Sequence, residues 1–295
     1  VMALSALENL ASQKKVVGCV VHEDVTLDTR VTVNFCKSKG IPSVHIPHAA
    51  CHLQAGVQDI HRETRTDFIA ASGQYMAGFY RESGFTGGME ETGLVQLDWM
   101  YERGYPKRDE ARRILVLDDK QLVLVYASTW SQTTSLRSRF GAELQETLNA
   151  VIALSKELGA FLAVKVHPHE GEGAEKQYVE ALKQSGVKGL VTRHHNSYIT
   201  PAADVVIMHG PSNYALEAAM LGVPSCYVQT EGFDFRHVLP FRGPVSSLRD
   251  MVQQARDSRG NDNWQDFLRY YNSAHPGGGA VDKTVEYIER CLNTH

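Results

Sequence analysis

The chain has 295 residues, 43% of them hydrophobic and 22% charged, with a formal net charge of −4. At roughly 150 residues per domain this length suggests two domains, and the slight acidity gives no reason to expect a nucleic-acid partner. No apolar run approaches the ~20 residues of a membrane span, and the first residues lack the basic and apolar regions of a signal peptide. Five scattered cysteines (Cys19, Cys36, Cys51, Cys226, Cys291) form no Cys-x-x-Cys pair. That pattern fits reduced thiols in a cytoplasmic protein better than a disulfide framework.

Residues 2–15 read as a helix and 16–22 as a strand, with Glu23 and Asp24 at its carboxyl end. Residues 27–38 read as a helix closed by Gly40, and 41–46 as a strand ending in Pro47-His48. Open α/β sheets bind ligands outside the carboxyl ends of their strands, so Glu23, Asp24 and His48 are candidate catalytic groups. His45, His48, His52 and His61 invite a metal reading, but their spacing matches no zinc motif, and no metal site is expected. A polar loop is expected over 51–65, a strand over 67–72, a helix over 74–83 and a strand over 93–97. Residues 103–113 are charged, contain Gly104 and Pro106, and read as a linker. The expected division is therefore a domain over 1–112, a second over 113–279, and a last helix over 280–295.

The second half opens with an apolar strand, 121–127, followed by Ser128, Thr129 and Trp130. A helix is expected over 141–158. The strand 160–166 runs into His167-Pro168, and a residue before proline is driven toward extended geometry. A helix over 175–184 and a strand over 187–191 lead to ADVVIMHGPSNYALEAAMLGVPSCYV at 203–228. Its valine-rich strand, 204–208, is broken by His209, Gly210 and Pro211. Ser212 is a candidate N-cap, 213–221 a helix stopped by Gly222, and 225–228 a second strand. Strand, turn and helix in this order aim free backbone N–H groups and the positive helix end at one spot, which suits a phosphate. Glu217, just over one turn into that helix, can accept hydrogen bonds from two sugar hydroxyls. An ordinary βαβ unit has the same outline. Helices are expected over 248–256, 264–271 and 280–292.

His209, Asn213, Glu217 and Gly222-Val223-Pro224 together resemble the donor-binding signature of the UDP-sugar-dependent GT-B glycosyltransferases. Pro211 and Tyr214 stand where that group usually has glycine and serine. KVHP at 165–168 and VYASTW at 125–130 resemble loops of bacterial capsule and polyol-phosphate transferases, with Ser128 in place of a proline. The resemblance runs in order over 16–292. It implies an α/β fold of two facing Rossmann-like domains, parallel sheets flanked by helices, with a shortened N-terminal domain of about four strands and a last helix that crosses back to it. Such a chain is either a natural short form or lacks an upstream segment. The resemblance also implies that Thr129, His167, His209, Gly210, Ser212 and Asn213 bind a UDP- or CDP-linked sugar, with His167, His209, Ser212 and the helix N-terminus on its diphosphate. Glu217 then takes the ribose and Asp234 the sugar, with no metal or cofactor. His48 is the first candidate for the base because histidine titrates near neutrality; Asp24 and Glu23 are the alternatives. The implied activity is sugar transfer to a hydroxyl of a glycan, a polyol phosphate or another acceptor, in the cytoplasm or at a membrane surface. A CDP-polyol phosphotransferase, a UDP-GlcNAc 2-epimerase-like enzyme and a non-catalytic nucleotide-sugar-binding module are the alternatives.

Overall fold

The computed structural model describes residues 2–22, 24, 26–48, 63–128, 134–168, 170–171, 173–193, 196–209, 212–229, 241–261 and 263–293. Four candidate residues, Glu23, Thr129, Gly210 and Asp234, lie outside the described residues, as does most of the expected loop at 51–65. The chain divides into two compact units, Val1–Arg103 with Gln265–His295, and Gly104–Trp264.

The first unit holds a parallel sheet of β1 (Cys19–Val21), β2 (Ser43–His45), β3 (Phe68–Ala71) and β4 (Gly88–Glu91), in chain order. Its first helices are α1 (Met2–Gln13), α2 (Leu27–Ser38), α3 (Gln74–Glu82) and α4 (Asp98–Arg103). Alternate residues of β3 serve opposite faces, as the strand period requires. Ile69 and Ala71 pack on Met76, Ala77 and Tyr80 of α3, while Ala70 packs with Val44, Tyr287 and Cys291. The strand expected at 93–97 is replaced by β4 and a single 3-10 turn, Val95–Leu97. β4 reads GMEE because it is an edge strand with polar outward side chains, and Glu90 pairs there with Arg290. Gly93, at φ +105°, then turns the chain out of the sheet, and the Leu94 N–H donates to Asn272 Oδ1 at 3.0 Å.

The second unit contains β5 (Val123–Ala127), β6 (Phe161–Lys165), β7 (Gly189–Thr192), β8 (Val205–Met208), β9 (Ser225–Val228) and β10 (Arg242–Gly243). They form one parallel sheet in the order β10-β9-β8-β5-β6-β7. The two halves wind outward from the β5–β8 pair, which is the doubly wound order. The runs VLVYA, VVIM and SCYV are buried throughout, as strands covered on both faces must be. Its helices are α5 (Arg108–Ile114), α6 (Thr134–Glu157), α7 (Ala174–Ser185), α8 (Asn196–Ala202), α9 (Tyr214–Met220) and α10 (Leu248–Asp257). The chain continues into α11 (Asn263–Tyr271) and α12 (Ala280–Asn293).

The stretch expected to be a linker holds α5, and α5 is tied into the second unit. Arg112 is 1% exposed and donates to the Ala202 carbonyl at 3.0 Å, the Asp118 carbonyl at 3.1 Å and the Gln121 carbonyl. Arg108 bonds Asp204 at 2.7 Å, and Arg259 reaches the same carboxylate at 3.3 Å. These guanidiniums collect at the carboxyl end of α8, where cations complement the helix dipole. The second unit accordingly begins at Gly104 instead of after Arg112.

Candidate functional site

The site follows from strand register. Ala127 at the end of β5 lies opposite both Lys165 of β6 and Met208 of β8. The next residues, Ser128, Val166 and His209, therefore leave the sheet side by side where the strand order reverses. In doubly wound sheets that reversal opens the ligand crevice.

The turn after β6 is fixed from several sides. The Ser128 hydroxyl donates to Glu170 Oε2 at 2.6 Å and accepts from the His167 N–H at 2.9 Å. The Tyr178 hydroxyl donates to Glu170 Oε1 at 2.9 Å. Arg193 donates to the carbonyls of His167 and Gly171, both at 3.0 Å. Burial pushes the Glu170 carboxyl up, and the bonds from Ser128 and Tyr178 oppose that rise.

His209, at the end of β8, is 1% exposed, and burial pushes its imidazole down to about 4. At neutral pH it is therefore an uncharged donor. Positive charge at this edge comes from Lys165, 8% exposed, whose Nζ lies 5.0 Å from the centre of the Tyr214 ring. Burial lowers the Lys165 pKa, opposed by the charges of Glu217 and Glu170. Tyr214 is held in turn by a 2.7 Å bond between its hydroxyl and Thr200.

Ser212 and Asn213 lead into α9, which starts at Tyr214, one residue later than expected. The Ser212 hydroxyl accepts from the Tyr214 N–H at 3.2 Å, while Asn213 takes the N-cap position without a side-chain cap bond. Glu217 lies in the first turn of α9. Its Oε1 accepts from the Tyr105 hydroxyl at 3.2 Å and its Oε2 from Asn196 Nδ2 at 3.2 Å. Burial raises the Glu217 pKa, and the charge of Lys165 is the largest effect opposing it.

No protein-family model matches the sequence, and no curated protein matches it. Solved structures do. UDP-GlcNAc 2-epimerase of Methanocaldococcus jannaschii, in complex with UDP-GlcNAc and UDP, matches with a TM-score of 0.66 at 12% identity, over 98% of this chain and 80% of that one. The wall teichoic acid polymerase TagF matches with a TM-score of 0.54 at 15% identity, over 87% and 70%. MurG of Acinetobacter baumannii matches with a TM-score of 0.53 at 13% identity, over 98% and 77%. The chain has the GT-B fold. At these identities the likeness is one of fold, so the chemistry of this GT-B chain has to be argued from its own residues.

Within the second GT-B unit, His167, His209, Ser212, Asn213 and Glu217 all lie on elements that follow the carboxyl ends of β6 and β8. In the first unit, His48 is exposed three residues past β2, and its carbonyl accepts from Gln96 Nε2 at 3.1 Å. Asp24 is fully buried. Its Oδ2 accepts from the Thr64 hydroxyl at 2.8 Å, the Thr66 N–H at 3.1 Å and the Arg65 N–H, so this carboxylate secures the 64–66 segment. A polar cavity of about 320 Å³ in this unit, lined by Lys37, Thr64, Arg65 and Ser83 among others, includes none of the candidate residues. His45 is buried edge-on against Tyr80. Among the described residues no three His, Cys, Asp or Glu side chains could hold a metal ion, and no helix is long and apolar enough to cross a membrane.

Sequence reasoning missed Lys165, Glu170, Tyr105 and Asn196. Lys165 opens the KVHP run, but a lysine at a strand end is normally solvated. Glu170 ends the HPHE run and carries no separate signal. Tyr105 and Asn196 meet Glu217 across 112 and 21 residues of chain, a pairing that no local pattern announces.

Proposed function

We propose that this GT-B chain binds a nucleotide-linked sugar and transfers the sugar to an acceptor hydroxyl without a metal ion. The carrying observation is the carboxyl edge of the second sheet. There the pinned His167 turn follows β6, while His209 and, in the first turn of α9, Glu217 follow β8 at the order reversal. In this reading His167, Ser212, Asn213 and the neutral His209 donate to the diphosphate, together with the backbone N–H groups ahead of α9. Glu217 accepts from the ribose hydroxyls. By resemblance, Thr129 and Gly210 also contact the donor, and Asp234 its sugar. Preorganised donors of this kind stabilise a leaving diphosphate as charge develops on it. The acceptor oxygen forms its bond to the anomeric carbon while the bond from that carbon to the diphosphate oxygen breaks. The acceptor proton passes to His48, and the nucleoside diphosphate leaves.

A second reading is an epimerase-like reaction, which needs no acceptor and releases a free sugar. It is favoured by the TM-score of 0.66 to the M. jannaschii epimerase, against 0.53 to MurG. The test is to incubate the protein with a panel of UDP- and CDP-linked donors and to follow nucleotide release with and without acceptor. Transfer predicts release that depends on acceptor and survives EDTA. Acceptor-independent release of free sugar would replace transfer with the epimerase reading. Binding without any release would reduce the chain to a nucleotide-sugar-binding module.

A further inference from the structure

We propose that Tyr105 and Asn196 are positioning residues for Glu217, and that the three together make this site select ribonucleotides over 2′-deoxyribonucleotides. The inference rests on the reading of Glu217 as the ribose contact. A glutamate at the start of a helix has three rotatable bonds, and its carboxylate points one way only if something holds it. Here the two oxygens are held separately, Oε1 by the Tyr105 hydroxyl and Oε2 by Asn196 Nδ2, each at 3.2 Å. The holding groups come from separate elements of the second unit, Tyr105 just ahead of α5 and Asn196 at the start of α8. Each carboxylate oxygen keeps a further lone pair after accepting one bond. The carboxylate is thus oriented without being used up.

Two more features point to a ligand. Asn196 Oδ1 is buried and has no hydrogen-bond partner among the described residues. Its orientation is set by chemistry, because the reversed amide would put an oxygen against the Glu217 carboxylate. A sugar hydroxyl between the two side chains would satisfy that acceptor. The Tyr105 phenol is also locked as a donor, since burial and the Glu217 charge both push its pKa up. Orienting the carboxylate in advance removes an ordering cost from binding. A site built this way rejects a nucleotide lacking the hydroxyl, because its buried polar groups are then left unpaired.

The test is calorimetric binding of UDP and 2′-deoxy-UDP to the full chain, with melting curves confirming that each variant is folded. A hydrogen bond to a charged group corresponds to wild-type preference for UDP of about tenfold to a hundredfold. Tyr105→Phe and Asn196→Ala should each shrink that preference at least about threefold, with 2′-deoxy-UDP affinity changed less than about twofold. In a Glu217→Gln background, adding Tyr105→Phe should leave the ratio unchanged, as expected of groups acting through one another. Single variants that keep the wild-type ratio, or that lose both nucleotides equally, would overturn the proposal while leaving Glu217 in place. A Glu217→Gln protein with the wild-type preference, or a wild type that binds neither nucleotide, would instead overturn the donor-site reading itself.

Discussion

Burying an imidazole at the end of β8 links the stability of the chain to pH. His209 sits at about 4 in the folded protein, against an ordinary value near 6.5 for an unfolded chain. Between those values the unfolded state binds the extra proton, so stability rises with pH. The contribution is complete above about pH 6.5 and is lost as the pH falls toward 4; the loss by pH 5 is about 2 kcal/mol. His209→Gln should therefore remove about 2 kcal/mol from the difference in urea-unfolding free energy between pH 7.5 and pH 5. An unchanged difference would mean that the imidazole is not held neutral. Two of the three candidate bases of the first unit, Asp24 and His48, separate by the same kind of reasoning. Asp24 is buried and bonded to Thr64, Arg65 and Thr66, whereas His48 is exposed. Asp24→Ala should cost on the order of 1–3 kcal/mol, because it strips partners from buried donors. His48→Ala should leave stability within about 0.5 kcal/mol and, on the proposed mechanism, lower turnover about 10²–10⁴-fold with nucleotide affinity retained. Normal turnover in His48→Ala would remove it as the base.

Among the elements, the turn after β6 and helix α5 are both held by long-range polar bonds. Ser128 is the link between the Glu170 carboxylate and the His167 N–H. Ser128→Ala should speed hydrogen exchange of the His167 amide, and Glu170→Ala, which takes an acceptor from the Ser128 and Tyr178 hydroxyls, should destabilise by roughly 0.5–1.5 kcal/mol. Unaltered exchange in Ser128→Ala would show that Arg193 alone is sufficient to hold the turn. Bonds of this kind also mark where the sequence stops being readable. The apolar strands VLVYA, VVIM and SCYV announce themselves by composition, as does the His209-to-Pro224 stretch by its spacing. β4 does not, because an edge strand reading GMEE lacks the apolar run that identifies a buried one. Nor does α5: Arg112 is its most buried large side chain, and periodicity scores an arginine as solvent-facing. α8 is masked by Pro201, tolerated here inside a helix of Asn196–Ala202.

On the scale of the whole molecule, the first unit is discontinuous, and that determines how the chain should come apart. Asp98 caps α12 by accepting from the Ala280 N–H at 3.0 Å and the Val281 N–H at 2.7 Å. Thr284 bonds Thr92 at 2.8 Å, and Tyr287 and Cys291 pack with Val44 and Ala70. Removing 265–295 should therefore unfold the first unit, because one face of its sheet loses its cover. The second unit is continuous from Gly104 to Trp264 and keeps its core and its cluster around Asp204 within those bounds. A fragment of residues 104–264 should consequently fold cooperatively, whereas 113–264 should not, since it lacks both Arg108 and Arg112. Removing Arg108 and the buried Arg112 leaves Asp204 to Arg259 and takes the donor from the Ala202, Asp118 and Gln121 carbonyls, at a cost on the order of 1–3 kcal/mol, a sizeable part of the stability of a unit this size. If the proposed donor site lies where the residues place it, the 104–264 fragment should also keep its response to nucleotide. UDP at about a hundred times its Kd should add about 2.7 kcal/mol, a shift of several degrees in melting temperature. Calorimetry on the two fragments and the full chain decides the matter. A 113–264 fragment as stable as 104–264 would reduce α5 to an ornament of the fold, and a folded 104–264 fragment indifferent to UDP would move the nucleotide away from His209 and Glu217.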